Sequence, residues 1–350
     1  MGITYHDEDI TTPGYYQAAR KRGKNLLQRS VADFHENKLN AAISRLVLSN
    51  FKRRTLDQVL NTKYPSGHLP MSNKAVRLMT WDYLSASLIS HFNEHHKPVA
   101  KISFGFLTLC WDEGITAITS PDLDIVKMKH KARRAIRDLG AHGIAAIDIH
   151  PLRHAKGGRQ ILAHVHSIIW WEKGKSNPKR AAKSLQRRFP NSFGAKGIKI
   201  TTRKQAVAKR IAKGAMVHAP SANMTDDDLA FLAAYMLKAP NMVKRLVCDP
   251  GCPEKSTMKT TADGYSDVVA LHMARIWSYV TPYDAIFAIG DGKHPRAQFA
   301  FYLRRWAKNN FQRQQFVEAA ELDDMWNYVG KRNSKLQLGA ANITAKDGLS

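Results

Sequence analysis

The feature that most constrains this 350-residue chain is the run Ile161-Leu-Ala-His164-Val-His166-Ser-Ile-Ile-Trp170. It is apolar and rich in β-branched residues, so it reads as a strand, and alternation along a strand puts His164 and His166 on one face. Two imidazoles on one face of a rigid strand are placed to share a divalent cation. Two further strands precede it, Lys101–Cys110 and Gly143–His150. Between those two, Ser120-Pro121-Asp122 offers an N-cap hydroxyl, a proline for the first helical position and an acid for the first turn, and predicts a helix that Gly140 ends. Strand, helix, strand, a turn at Gly157-Gly158 and strand predict an α+β fold in which helices pack on an antiparallel sheet.

The strand before the turn reads Ala146-Ile-Asp148-Ile-His150, which sets Asp148 and His150 together on one face. Paired with the histidine strand, it brings three or four nitrogen and oxygen donors into reach of one another. Either Asp148 or His150 can be the third ligand; a hard carboxylate oxygen suits Mg²⁺ or Mn²⁺ and favours Asp148. The rival use of Asp148 is as an acceptor that orients an imidazole.

Downstream, Thr225-Asp-Asp-Asp-Leu opens a helix with a capping residue and acids that complement the positive end of its dipole. Leu229, Leu232, Ala233 and Met236 fall on the expected core side, and Pro240 ends the helix. Tyr235 offers a phenolic nucleophile, and Lys238, three residues on, is expected on the same side to steady negative charge.

Charge sets the partner class. Fifty-four Lys and Arg face 29 acids, a net charge of +25, and such an excess points to a polyanion, most often nucleic acid. Fourteen Lys or Arg and no acid lie between Lys173 and Lys213. Contacts to DNA are expected from Lys127, Lys131 and Arg134 on the helix before Gly140, and from Lys179, Arg180, Arg187, Arg188 and Lys204 in the basic segment, where Gly197–Thr201 also reads as a strand. Three cysteines are too few for a disulfide framework, and neither a signal-type run nor 18 uninterrupted apolar residues is present. A cytoplasmic protein with no membrane partner is expected.

The composition shifts divide the chain into a helical, basic region 1–98, a strand-rich domain 99–245 and a mostly helical region 246–350. Within the middle segment the order of a Phe106-Leu-Thr-Leu109 strand, a His-Val-His strand and a Tyr-x-x-Lys helix resembles the HUH endonucleases, in which U is a hydrophobic residue. It is most similar to the rolling-circle replication initiators of plasmids and single-stranded DNA phages, over about residues 100–245. The resemblance implies an HUH nuclease-like domain in which His164, His166 and one further polar residue hold Mg²⁺ or Mn²⁺. It implies that Tyr235 attacks a phosphodiester of single-stranded origin DNA, leaving a 5′-phosphotyrosine and a free 3′-OH, and that Lys238 assists. The helix carries one tyrosine, with Phe231 four residues earlier. No Gly-x-x-x-x-Gly-Lys-Ser/Thr occurs, so unwinding is expected from a host helicase and synthesis from a host polymerase. A one-tyrosine transposase or relaxase is the alternative within this chemistry, and a non-catalytic nucleic-acid binder is the alternative outside it.

Overall fold

The computed structural model describes residues 14–45, 56, 60, 69–95, 102–153, 159–174, 177–190, 197–202, 224–247, 257–261 and 265–310. The turn at 157–158, Lys204, Cys248 and Cys252 lie outside the described residues. The fold is α+β. Eight strands form one sheet: β1 Ile102–Leu109, β2 Ile115–Ala117, β3 His142–Arg153, β4 Arg159–Glu172, β5 Ile198–Thr202, β6 Val243–Val247, β7 Thr257–Thr261 and β8 Ile286–Ile289.

The hairpin β3–β4 is the axis of the molecule, paired without a break from His142↔Trp170 to Arg153↔Arg159. Its residues are buried all along both strands apart from the ends, because helices cover both faces and leave no side for polar alternation. On the free edge of β4 lie β1 and β2, and β5 follows β1. On the free edge of β3, β8 pairs with Gly143–Ala146 and β6 with Leu152–Arg153, the latter in parallel; every other pairing is antiparallel.

The longer α-helices are α1 Gly14–Ala32, α2 Lys74–His95, α3 Ile125–Asp138, α4 Pro178–Leu185, α5 Asp226–Leu237, α6 Asp267–Ser278 and α7 Lys293–Asn310. No helix among the described residues is long and apolar enough to cross a membrane. Helix α3 starts later than the Ser120-Pro121-Asp122 signal predicts. The Asp124 carboxylate accepts from the Lys127 amide at 2.7 Å and takes the capping role itself. The C-terminal end falls as expected, with Gly140 at φ 64°.

The three sequence segments share one core, and the middle and C-terminal segments share one sheet. Region 246–350, expected to be mostly helical, also supplies β7 and β8. Ile286-Phe-Ala-Ile289 is a four-residue apolar run, too short for its period to distinguish a strand from a helix. From the N-terminal region, α1 and α2 pack on α5. A side chain at Gly23 of α1 would place its Cβ 2.7 Å from the Ala230 carbonyl oxygen, so only glycine lets these two helices approach as they do. That same carbonyl accepts from Trp81 Nε1 of α2 at 2.9 Å.

The two faces of the sheet differ. Trp170 and His166 share the face on which Trp170 meets Phe92 of α2 and His166 meets Tyr235 of α5. Arg133 of α3 lies over Phe287, 5.3 Å from its ring centre. Phe287 is registered with Ala145, an odd position in β3 and therefore on the face opposite Asp148. Helix α5 and helix α3 thus cover opposite sides.

Candidate metal centre

Cross-strand register assembles the centre. Asp148 on β3 sits directly opposite His164 on β4, and His166, two residues further, is opposite Ala146 on one side and Thr108 of β1 on the other. The small Ala146 leaves room for the Asp148 carboxylate to reach diagonally. His164 Nε2 and His166 Nε2 are 3.0 Å apart, and Asp148 Oδ2 is 3.6 Å from the first and 3.4 Å from the second. Donors with these separations fit around one ion with bonds of about 2.1 Å. Asp148, His164 and His166 form the one such group among the described residues, and all three are buried. Two imidazole nitrogens facing each other at 3.0 Å need a proton or a cation between them. His164 Nδ1 is buried with no hydrogen-bond partner among the described residues. The triad could hold a metal ion.

His150 stands beside this group and not in it. Its Nε2 donates to Asp148 Oδ2 at 2.9 Å, and its ring stacks on His164 with centres 5.5 Å apart. Of the two candidates for third donor, the converging one is therefore Asp148, and His150 fixes its carboxylate. With His166 Nε2 turned to the triad, its Nδ1 shares a hydrogen bond with Thr108 Oγ1 at 3.1 Å, which sets the ring orientation.

Electrostatics suit cation binding. Burial pushes the Asp148 carboxyl up, yet His150, Lys238 and the hydrogen bonds from His150 and His166 hold it well below the usual carboxylate range. Burial pulls His166 down to about 4 and, with His166 beside it, lowers His164 further. The centre is one buried carboxylate among neutral imidazoles.

Helix α5 delivers the remaining groups. Thr225 and Asp228 form a reciprocal capping box at its start. Leu229, Ala233 and Met236 are buried as expected, whereas Leu232 is only partly so. Tyr235 remains 36% exposed. Its ring meets Phe106 at 5.5 Å and His166 at 5.3 Å between centres. Lys238 differs from its expected place on the helix: α5 ends at Leu237, and Lys238 is extended (φ −55°, ψ 144°). From there its Nζ lies 4.2 Å from the Tyr235 ring centre and 3.0 Å from Asp148 Oδ2. The lysine reaches the tyrosine because the helix stops.

Groups with no local sequence signal hold that stop in place. Fully buried Arg77 of α2 donates through Nη1 to the carbonyls of Leu237 (2.9 Å) and Lys238 (3.3 Å), through Nε to Met71 O, and stacks on Trp277. The Ala239 amide donates to Ser30 Oγ, the Tyr265 hydroxyl to Pro240 O, and Asn241 to Asp33. Lys244 on β6 is a further cation near Asp148; burial, then Lys238, lowers it.

The residues expected at DNA fall elsewhere. Lys127, Lys131 and Arg134 lie on α3, across the sheet from the triad. Lys131 pairs with Glu113 at 3.1 Å. Arg180 and Arg187 are exposed on and just after α4, and Arg188 pairs with Asp138 at the end of α3. The Lys179 side chain and all of Lys204 are outside the described residues. Compared with family models, with curated proteins and with solved structures, the chain matches none.

Proposed function

We propose that the protein is an HUH-type endonuclease that nicks and rejoins single-stranded DNA through Tyr235, starting rolling-circle replication of a plasmid or phage. The observation that carries this reading is Lys238 Nζ, 3.0 Å from the triad carboxylate and 4.2 Å from the Tyr235 ring. It joins a phenol to a metal-competent triad from a different part of the chain.

Mg²⁺ or Mn²⁺ held by His164, His166 and Asp148 would supply Lewis-acid polarisation of the scissile phosphate. Tyr235 is half-open to solvent, so a strand can reach its hydroxyl while Phe106 and His166 fix the ring. The Tyr235 oxygen forms a bond to phosphorus as the bond to the 3′ oxygen breaks. The phenolic proton is lost and the departing 3′ oxygen gains one, so the products are a 5′-phosphotyrosine and a 3′-OH. Attack by that 3′-OH reverses the step and rejoins the strand. Lys238 places positive charge beside the tyrosine ring and offsets negative charge that builds up as the phenol oxygen attacks. Phe106 presents an aromatic face beside the tyrosine, the kind of platform on which an unpaired base stacks.

The test uses 3′-labelled single-stranded oligonucleotides tiled across the encoding element, with Mn²⁺ and purified protein, resolved on a denaturing protein gel. Label that migrates with wild-type protein and is absent with Tyr235→Phe supports the reading. Tight binding without an adduct on any tile overturns it in favour of a non-catalytic binder.

A further inference from the structure

The cations of α3 face away from the triad, and their arrangement has its own logic. Met128, Ala132, Ala135 and Ile136 bury one side of the helix. Lys127, His130, Arg134 and Arg137 are exposed at i, i+3, i+7 and i+10, a straight stripe about 15 Å long at 1.5 Å per residue. The flanks add to it. Lys129 of α3 and Arg296 of α7 both reach the Tyr283 carbonyl, at 3.5 and 3.4 Å, and burial, then Arg133 and Arg304, lowers Arg296. Beside Arg304, the Tyr283 hydroxyl is shielded from water with no hydrogen-bond partner among the described residues. Acids near the stripe are already engaged: Asp124 caps the helix, Glu113 pairs with Lys131 and Asp138 with Arg188.

We propose that this outer side of α3 binds the phosphate backbone of duplex DNA on the face of the molecule opposite the metal centre. The inference goes beyond the proposed nicking activity and stands whether or not Tyr235 cuts DNA. A rigid row of three cations along one helix, Lys127, Arg134 and Arg137, matches a backbone of regular spacing. The one ring on the stripe is the small His130 imidazole, whereas the other face presents the larger Phe106 and Tyr235. The two faces therefore take different forms of DNA, the single strand at the triad and the duplex behind it.

The test measures affinity for a short DNA duplex by fluorescence anisotropy over a range of salt, with EDTA present so that no strand is cut. Three proteins are compared with wild type. One carries Lys127→Gln, Arg134→Gln and Arg137→Gln. A second carries Lys21→Gln, Lys24→Gln and Arg29→Gln, which remove the same charge from exposed positions on α1. The third carries His164→Ala and disables the triad. Each lost phosphate contact lowers the slope of log affinity against log salt by about 0.9, so the α3 variant is expected to lose about 2–3 in slope. The α1 and triad variants keep the wild-type slope. An unchanged slope for the α3 variant overturns the proposal, and so does an equal fall in the α1 variant, which would reduce the effect to net charge. Because the triad variant is read by duplex binding alone, failure of the nicking reaction leaves this result intact. All substituted cations are exposed, and matching thermal melts confirm folding.

Discussion

The two faces of the sheet treat charge in opposite ways. Over the triad, one carboxylate oxygen is surrounded by three imidazoles and an ammonium, all within 3.6 Å. Burial makes every ionisation there depend on its neighbours. Along α3, Lys127, Arg134 and Arg137 are spread toward solvent. Buried and compensated groups build a reactive centre, since low dielectric strengthens each interaction. Exposed, uncompensated groups build an adhesive surface that salt can tune. The comparison teaches that one chain can bury and pair its charges on one side of a sheet while leaving a row of cations open to solvent on the other.

The sharpest way to break the contrast is to remove the proposed reactants. Tyr235→Phe is expected to lower strand cleavage by about 10⁴-fold or more, on the scale of other nucleophile deletions. His164→Ala with His166→Ala, or EDTA, is expected to abolish cleavage, with gel quantification of labelled product as the measure. Residual cleavage by the phenylalanine variant would point to a water nucleophile.

Next in size is Arg77→Met, which leaves the buried carbonyls of Leu237 and Lys238 without their donor. Burial lowers Arg77 to about 10, still charged at neutral pH, so its loss also removes a positive field from Asp148. A stability loss of about 2–4 kcal/mol by urea unfolding is expected from these carbonyls and that of Met71. The α3 face, by contrast, is expected to accept Arg134→Gln within about 0.5 kcal/mol, as exposed sites do.

Gly23→Ala follows. The added methyl meets the Ala230 carbonyl and pushes α1 from α5, for a cost of about 1–3 kcal/mol seen as a lower melting temperature. Smallest is a chemical signature of burial. Burial pushes the Cys110 thiol up to about 11. Since only the thiolate reacts, its alkylation at pH 8 is expected to be about 100-fold slower than that of an ordinary thiol, and to rise tenfold per pH unit. Peptide mapping of labelled protein checks it; rapid labelling at pH 8 would place Cys110 nearer solvent than its 5% exposure.

Much of the centre was legible because strand periodicity is local. His164 and His166 share a face by alternation, as do Asp148 and His150, and a hairpin pairs them with no further information. The start of α5 was legible from Thr225 and Asp228 for the same reason. What local pattern does not encode is which distant group meets which. Arg77 acts on carbonyls 160 residues away, and nothing around it in sequence marks it out. The side of the sheet that α3 covers was likewise invisible, since a helix carries its apolar stripe to either face. The place of Lys238 was half legible: its spacing from Tyr235 was right, but the helix end that turns it toward Asp148 is set by Arg77, Ser30 and Tyr265.

Strand β8 has a consequence for how the protein is made. It closes the edge of β3 at Gly143–Ala146, yet it is translated long after that edge. About 40 residues separate the end of β6 from Ile286, a delay of about 2–8 s at about 5–20 residues per second. Throughout that interval the nascent chain holds an apolar strand with open hydrogen-bonding groups, the kind of edge that recruits wrong partners. A message cut short before Ile286 is expected to yield polypeptide in the aggregate, whatever the fate of the Asp148–His164–His166 group.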